Sequence, residues 1–296
     1  DVTEAPTIPE YGFDDFLTNF EGIGNKLLGL IESPTEPEKK YLDVSEMLGE
    51  PYKWMPRHQI TTGFVDAAIA HIDRAKAEGK PFYLNLWPDD VHSPFYPSLE
   101  NWGDGSNKTL YMAVLEEMDA QLGKLFKRIK EDEQLSKNTI ILSCSDNGPS
   151  IGLCAKKPFK GYKTQMYEGG IRSPLVVWAP QLVPEAKHGS VNKDSVFSGV
   201  DLVPSLKRLC GVEGEESVLC DGEELSETLL GRSAKSRQAA LFFSRPPDKI
   251  FKNVYGLKNL PDLGVRDGKW KLVCYFDGSR PELYDLSKDP GETTNM

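Results

Sequence analysis

The sequence predicts an α/β fold: a mixed, largely parallel sheet flanked by helices, followed by a small antiparallel C-terminal subdomain. Three observations carry that expectation. Two apolar runs of strand length, PFYLNLW from Pro81 and TIILSCS from Thr139, flank a segment whose apolar residues recur at three and four residues from Leu110 to Ile129. Strand, helix, strand in that order is the pattern of a right-handed βαβ unit, which makes the two strands parallel. From Gln238 onward the text changes to short strand-like pieces with Asp-Gly turn signals at Asp267 and Asp277. We therefore expect an α/β part over 1–235 and a small antiparallel part over 236–296.

Each element follows from local pattern. Residues 1–56 are rich in Pro and Gly without a sustained period, so a long surface segment is expected there. From Thr61 the positions Phe64, Ala67, Ala68, Ile69 and Ile72 repeat at helical spacing, and Gly79 and Pro81 close that helix. PFYLNLW reads as a buried strand, and the proline-rich loop after it carries Asp89, Asp90 and His92. A second helix is expected from about Lys108 to Glu133. Beyond Gly170, PLVVWAP reads as a strand and VDLVPSLKRLCG as a helix, with Asp201 as a candidate cap and Gly211 as its stop.

Composition narrows the function. A chain of 296 residues with 39% hydrophobic content can build a substantial core, and its formal charge of −10 argues against nucleic acid as a partner. There is no run of about 20 apolar residues, the length a membrane-spanning helix needs. Five cysteines at irregular spacing form no zinc pattern. Cys210 and Cys220 could bridge a loop, although free, buried thiols are the expected state.

The chemistry concentrates between Thr139 and Arg172. A strand ending in Asp146, Asn147 and Gly148 delivers a carboxylate and an amide, which are hard oxygen ligands for a metal. Lys156, Lys157, Lys160 and Lys163 follow in one short loop of an acidic protein, so an anion would be held locally there. The bland readings stay beside these: Asp-Asn-Gly is ordinary turn text, lysine is usually solvated, and His92 can be a satisfied loop histidine. Asp89 and Asp90 admit a metal reading but suit capping better, and Asp14 and Asp15 have no strand end near them.

In that order and spacing, PFYLNLWPDDVHSP, TIILSCSDNG and GYKTQMYEGGIRSP resemble the sulfatase family of the alkaline-phosphatase-like superfamily. YGFDDFLTNF and GVRDGKWKLVCYFDGSRPELYDLSKDPGETTN extend the resemblance over nearly the whole chain. It implies that Asp146 and Asn147 are metal ligands for Ca2+, and that His92 and Lys163 are catalytic, contacting sulfate and assisting departure of the alcohol. A hard cation and a lysine would offset charge on sulfate oxygens, and a histidine can protonate a leaving oxygen. Arg172 is expected to brace the Glu168-Gly169-Gly170 bend. The implied substrate is a sulfated small molecule or glycan, and the implied location is periplasmic or secreted.

The departures are as informative. The family makes its formylglycine nucleophile from C/S-x-P-x-R, which this sequence lacks; Ser244-Arg245-Pro246-Pro247-Asp248 has Asp where Arg is needed. The paired N-terminal aspartates and the G-K-x-H-x-G motif are also absent, so the chain reads as a sulfatase fragment, with formylglycine expected upstream and no turnover expected from the fragment alone. Two alternatives stand beside this reading: a phosphate or phosphonate ester hydrolase of the same superfamily, and a noncatalytic anion-binding or glycan-binding relative.

Overall fold

Strand β1 (Lys26–Ser33) shows how the first part of the chain finds its core: Leu27, Leu28 and Ile31 are buried, in a stretch expected to lie on the surface. The signal was present as the apolar run KLLGLI, hidden among prolines and glycines. In this computed structural model, residues 6–20, 22–153, 158–212, 220–245 and 260–296 are described. The chain forms two compact units, Asp1–Leu135 and Ser136–Met296.

In the first unit, β1 lies between β2 (Glu36–Lys40), antiparallel to it, and β3 (Tyr52–Pro56), parallel to it. Helix α1 (Ile60–Ala77) brings Ile60 and Phe64 onto Leu27, with Leu17, Met55 and Leu86 packed around them. Each such side chain contributes about 1.5–3 kcal/mol when fully buried. Helix α2 (Asn107–Lys130) starts at Ser106, whose hydroxyl accepts the Thr109 amide. Arg128 of α2 ties it to Asp73 of α1 and to Asp132. The short helix α3 (Glu133–Lys137) spans the division between the units.

The PFYLNLW expectation needs correction. Residues 82–87 alternate between half-buried and exposed, with Leu86 on the core and Tyr83 and Trp87 outward, but they pair with no strand among the described residues. The period-2 pattern was real, while a strand also requires a hydrogen-bonded neighbour, which periodicity cannot report. No parallel βαβ ladder therefore joins this segment to the next strand.

In the second unit, β4 (Ile141–Cys144) is instead antiparallel to β5 (Leu175–Trp178), with Cys144 opposite Leu175. Between them lies the one-turn helix α4 (Glu168–Ile171). Helix α5 (Leu202–Leu209) and α6 (Ser226–Leu229) follow. Asp201 caps the turn before α5 by accepting the Ser198 amide, and its buried carboxylate pairs with Arg237. Strands β6 (Leu241–Ser244), β7 (Leu263–Asp267), β8 (Trp270–Cys274) and β9 (Glu282–Asp285) form one antiparallel sheet in sequence order. The Asp267-Gly268 signal marks the β7–β8 hairpin, where Gly268 takes the positive φ that such a turn requires. The molecule is thus mixed α/β with a small antiparallel C-terminal sheet, as the sequence predicted. Cys210 and Cys220 are free thiols, as expected, but exposed rather than buried.

Candidate active site

Three of the four candidate side chains stand on one cluster of loops in the second unit. β4 ends at Cys144 and releases Ser145-Asp146-Asn147 into a turn held by the Ser145 hydroxyl, which donates to the Asn147 carbonyl at 2.9 Å. Asp146 is exposed and Asn147 half-buried. The Asn147 side-chain amide donates to the Asp146 carboxylate, so the two oxygen-bearing side chains are neighbours.

What fixes this turn is backbone packed directly on backbone. The Gly148 amide donates to the Gly170 carbonyl at 2.9 Å, the Lys163 amide to the Pro149 carbonyl at 2.9 Å, and the Gly169 amide to the Lys160 carbonyl at 2.7 Å. A Cβ on Gly148 would lie 1.9 Å from the Gly169 carbonyl oxygen, and one on Gly170 would lie 2.1 Å from that of Gln165. Only hydrogen fits at these contacts. The glycines of the Glu168-Gly169-Gly170 bend therefore bring Lys163 alongside the Asp146-Asn147 turn.

Lysine roles separate clearly. Lys160 pairs with Glu282 at 3.1 Å and lies 3.8 Å from the Tyr167 ring centroid, a structural cation. Half-buried Lys163 has no ion-pair partner among the described residues. Lys156 and Lys157 lie outside the described residues.

The bend is held from beneath by charges that sequence reasoning missed. Glu168, 1% exposed, accepts from Lys271 Nζ at 2.9 Å and from Arg266 at 3.0 Å. Its amide donates to Glu292 at 2.7 Å, and Lys271 also faces Glu292 at 3.4 Å. Arg172 reaches Glu168 at 3.8 Å and stacks on Phe159, which agrees with a bracing role. The signal available for Lys271 was slight: a lysine inside the apolar alternation of WKLVC.

Burial pushes the Glu292 carboxyl above the ordinary carboxylate range, with Lys271 opposing the shift. A carboxyl raised on folding binds more protons folded than unfolded. Its stabilising contribution is therefore present at low pH and is lost as pH rises through the raised value. Glu292→Gln should remove that slope. Denaturant midpoints of variant and wild type, compared from about pH 4 upward, should diverge in the variant's favour as pH rises.

His92 belongs to the first unit. It is exposed; its ring Nδ1 lies 2.7 Å from the Ser93 carbonyl, which can only accept, so Nδ1 carries hydrogen. Its loop is anchored by Arg57, whose Nη2 meets Asp89 at 2.8 Å and Asp90 at 3.0 Å, while Thr61 donates to Asp90 at 3.1 Å. The His92 amide closes the turn on the Asp89 carbonyl at 3.1 Å. Asp89 and Asp90 are thus partners of a guanidinium, and no group of three or more His, Cys, Asp or Glu residues among the described residues is arranged to hold a metal. Burial pushes the Asp90 carboxyl up, partly offset by Arg57. Arg57→Lys keeps the charge but loses the planar guanidinium whose Nη2 meets both carboxylates, and should cost about 1–2 kcal/mol in chemical unfolding.

Comparison with known proteins decides the family. A family model described as Sulfatase matches residues 5–212. The chain belongs to the sulfatase family. A second model, N-sulphoglucosamine sulphohydrolase, C-terminal, matches residues 161–296. The chain is 30% identical over 257 residues to human arylsulfatase A, covering 77% of this chain and 47% of that protein. It is 28% identical over 265 residues to an N-acetylgalactosamine-6-O-sulfatase of Bacteroides thetaiotaomicron, covering 78% and 48%. The chain thus spans about half the length of these curated relatives. Among solved structures, it matches a protein from work on glycosaminoglycan metabolism by Bacteroides thetaiotaomicron, with TM-score 0.64 and 26% identity over 82% of this chain and 51% of the other. The structure of Ps i-CgsB with k-i-k-neocarrahexaose shares the fold at TM-score 0.67 and 23% identity, over 80% and 50%. No helix among the described residues is long and apolar enough to cross a membrane.

Proposed function

We propose that this chain supplies part of the active site of a calcium-dependent sulfuric ester hydrolase acting on a sulfated glycan or small molecule. The observation that carries this reading is Lys163, without an ion-pair partner among the described residues, held beside the Asp146-Asn147 turn by its amide on the Pro149 carbonyl and by the Gly148–Gly170 backbone contact. Asp146 and Asn147 are hard oxygen donors and fit two of the six to eight positions of a calcium shell. Bound there, the cation would neutralise charge on sulfate oxygens.

The chain's own residues then have separable tasks. Lys163 holds and neutralises a sulfate oxygen as negative charge grows, while Glu168, Lys271 and Arg266 keep its loop in place. His92, with hydrogen on Nδ1, gives an Nε2 proton to the departing alcohol when the ring is cationic. The nucleophile of this reading, formylglycine, requires a C/S-x-P-x-R site that the sequence does not contain. The chain alone is therefore expected to give no turnover, and calcium-dependent hydrolysis of an aryl sulfate by the purified 296-residue chain would contradict that.

Names of relatives support the substrate class: one is an N-acetylgalactosamine-6-O-sulfatase, and a structural neighbour was solved with a neocarrahexaose. A periplasmic or secreted location is proposed with it. In the intact enzyme carrying the nucleophile motif, Lys163→Ala and His92→Ala should each lower kcat about a hundredfold or more. Wild-type kcat in both variants would remove these residues from the mechanism.

A further inference from the structure

The loop over residues 160–167 carries Lys163, and both of its ends reach the same distant carboxylate. Glu282, the first residue of β9, accepts from Lys160 Nζ at 3.1 Å and from the Tyr167 hydroxyl at 3.0 Å. The Tyr284 hydroxyl also donates to Glu282 and accepts from Lys160 Nζ at 3.1 Å. One acid thus closes the base of the loop.

A partly exposed ion pair such as Lys160–Glu282 adds little by itself. Here the two tyrosines beside it are buried, Tyr167 at 5% and Tyr284 at 2% exposed, and the ammonium lies 3.8 Å from one ring centroid and 5.3 Å from the other. Packing therefore sets the positions of the polar heads. Burial pushes the Glu282 carboxyl up, but hydrogen bonds from Tyr284 and Lys160 outweigh it and hold the group below the ordinary carboxylate range.

The backbone passes this anchoring on to Lys163. The Lys160 carbonyl accepts the Gly169 amide at 2.7 Å, and the Lys163 amide donates to the Pro149 carbonyl at 2.9 Å. Between them stands Gly161 at φ +90°, a conformation open to glycine and poorly restrained without neighbours to hold it. At the other end, the Tyr167 carbonyl accepts the Gly170 and Ile171 amides. Lys163 sits between two fixed points, each tied by its side chain to Glu282.

We propose that Glu282, acting through Lys160 and Tyr167, is a positioning residue that sets where Lys163 meets a sulfate oxygen. This role rests on the hydrolase reading above. Lys160 is engaged in holding the loop, which leaves Lys163 for the substrate. A misplacement of about 1 Å can cost a reaction about a hundredfold in rate. Because the Lys163 contact strengthens as charge grows in the transition state, the loss belongs to kcat rather than to KM.

The test is steady-state kinetics on an aryl sulfate with the intact enzyme carrying the nucleophile motif. Glu282→Gln and, independently, Lys160→Met should each lower kcat about tenfold or more while KM changes less than about threefold. Lys160→Arg should recover most of the rate, since arginine also pairs with carboxylates and stacks on aromatic rings. In a Lys163→Ala background, Glu282→Gln should cost nothing further, because a residue acting through Lys163 has nothing left to place. Near-ultraviolet circular dichroism shows that each variant is folded.

Two kinetic results would overturn the proposal: wild-type kcat in folded Glu282→Gln, or an equal loss with and without Lys163, the mark of a general structural role. Wild-type kcat in Lys163→Ala, or no hydrolysis of any sulfate ester, would instead sink the hydrolase reading. The hold on the loop is then read by hydrogen exchange on the 296-residue protein. The Lys163 amide should exchange about tenfold faster in Glu282→Gln while amides of α5 change less than about twofold, and an unchanged Lys163 amide would overturn the proposal.

Discussion

Gly148→Ala is expected to destabilise the second unit by about 3 kcal/mol or more, a cost at the upper end of overpacking because the obstruction is backbone. The added Cβ would lie 1.9 Å from the Gly169 carbonyl oxygen and 2.8 Å from its carbon. Relief requires parting Gly148 from the 168–170 bend, which breaks the Gly148 amide to Gly170 carbonyl bond and displaces Asp146 and Asn147. A flexible side chain could have rotated away; a peptide group in a buried turn cannot. Thermal and denaturant unfolding of variant and wild type measure the loss. A variant within about 0.5 kcal/mol of wild type, the range of ordinary surface changes, would show that the two loops are not in contact as described.

Lys271→Met is the second large effect, expected at about 3–5 kcal/mol, because removing one partner of a buried charge group leaves the others uncompensated. Lys271 is fully buried on β8 and faces both Glu168 and Glu292. Without it, Glu168 retains Arg266 and the more distant Arg172, whereas among the described residues Glu292 keeps the Glu168 amide as its side-chain hydrogen-bond partner. Lys271→Met combined with Glu292→Gln should recover part of the loss, since the second change removes the stranded carboxylate. A double-mutant cycle by denaturant unfolding reads this directly, with a positive recovery expected. Strict additivity of the two changes would mean that the three charges do not act as a group.

These two expectations mark where sequence reading stopped. The Asp146-Asn147 turn, the Glu168 bend and the Asp267-Gly268 hairpin were legible because their chemistry is local: a strand end, paired glycines and a turn dipeptide each announce themselves within a few residues. The helices α1 and α2 were legible because a period of 3.6 survives in the residue order. Arg57 and Lys271 were not, since each acts on carboxylates far away in sequence, and nothing in a single residue's neighbourhood states which distant acid it meets. β1 was missed because prolines and glycines on both sides masked KLLGLI. TIILSCS was expected to run parallel to PFYLNLW, whereas β4 pairs antiparallel with β5, because alternation reports which face is buried and says nothing about the neighbouring strand.

The two units also divide the proposed chemistry. The second holds Asp146, Asn147 and Lys163 on loops locked by glycine contacts, and the first holds His92 on a loop locked by Arg57. In both cases a buried ion-pair group holds the loop that carries the functional side chain: Glu168 with Lys271 and Arg266 in the second unit, Arg57 with Asp89 and Asp90 in the first. That is how a short, polar segment is kept in one geometry without burying the group it presents.

The most direct test compares an aryl sulfate with the aryl phosphate of the same leaving group, using the intact enzyme that includes the nucleophile motif, with calcium and with chelator. Hydrolysis of the sulfate ester is expected in strong preference to the phosphate, lost with chelator and restored by calcium. Preference for the phosphate ester, or hydrolysis of the sulfate indifferent to chelator, would contradict it.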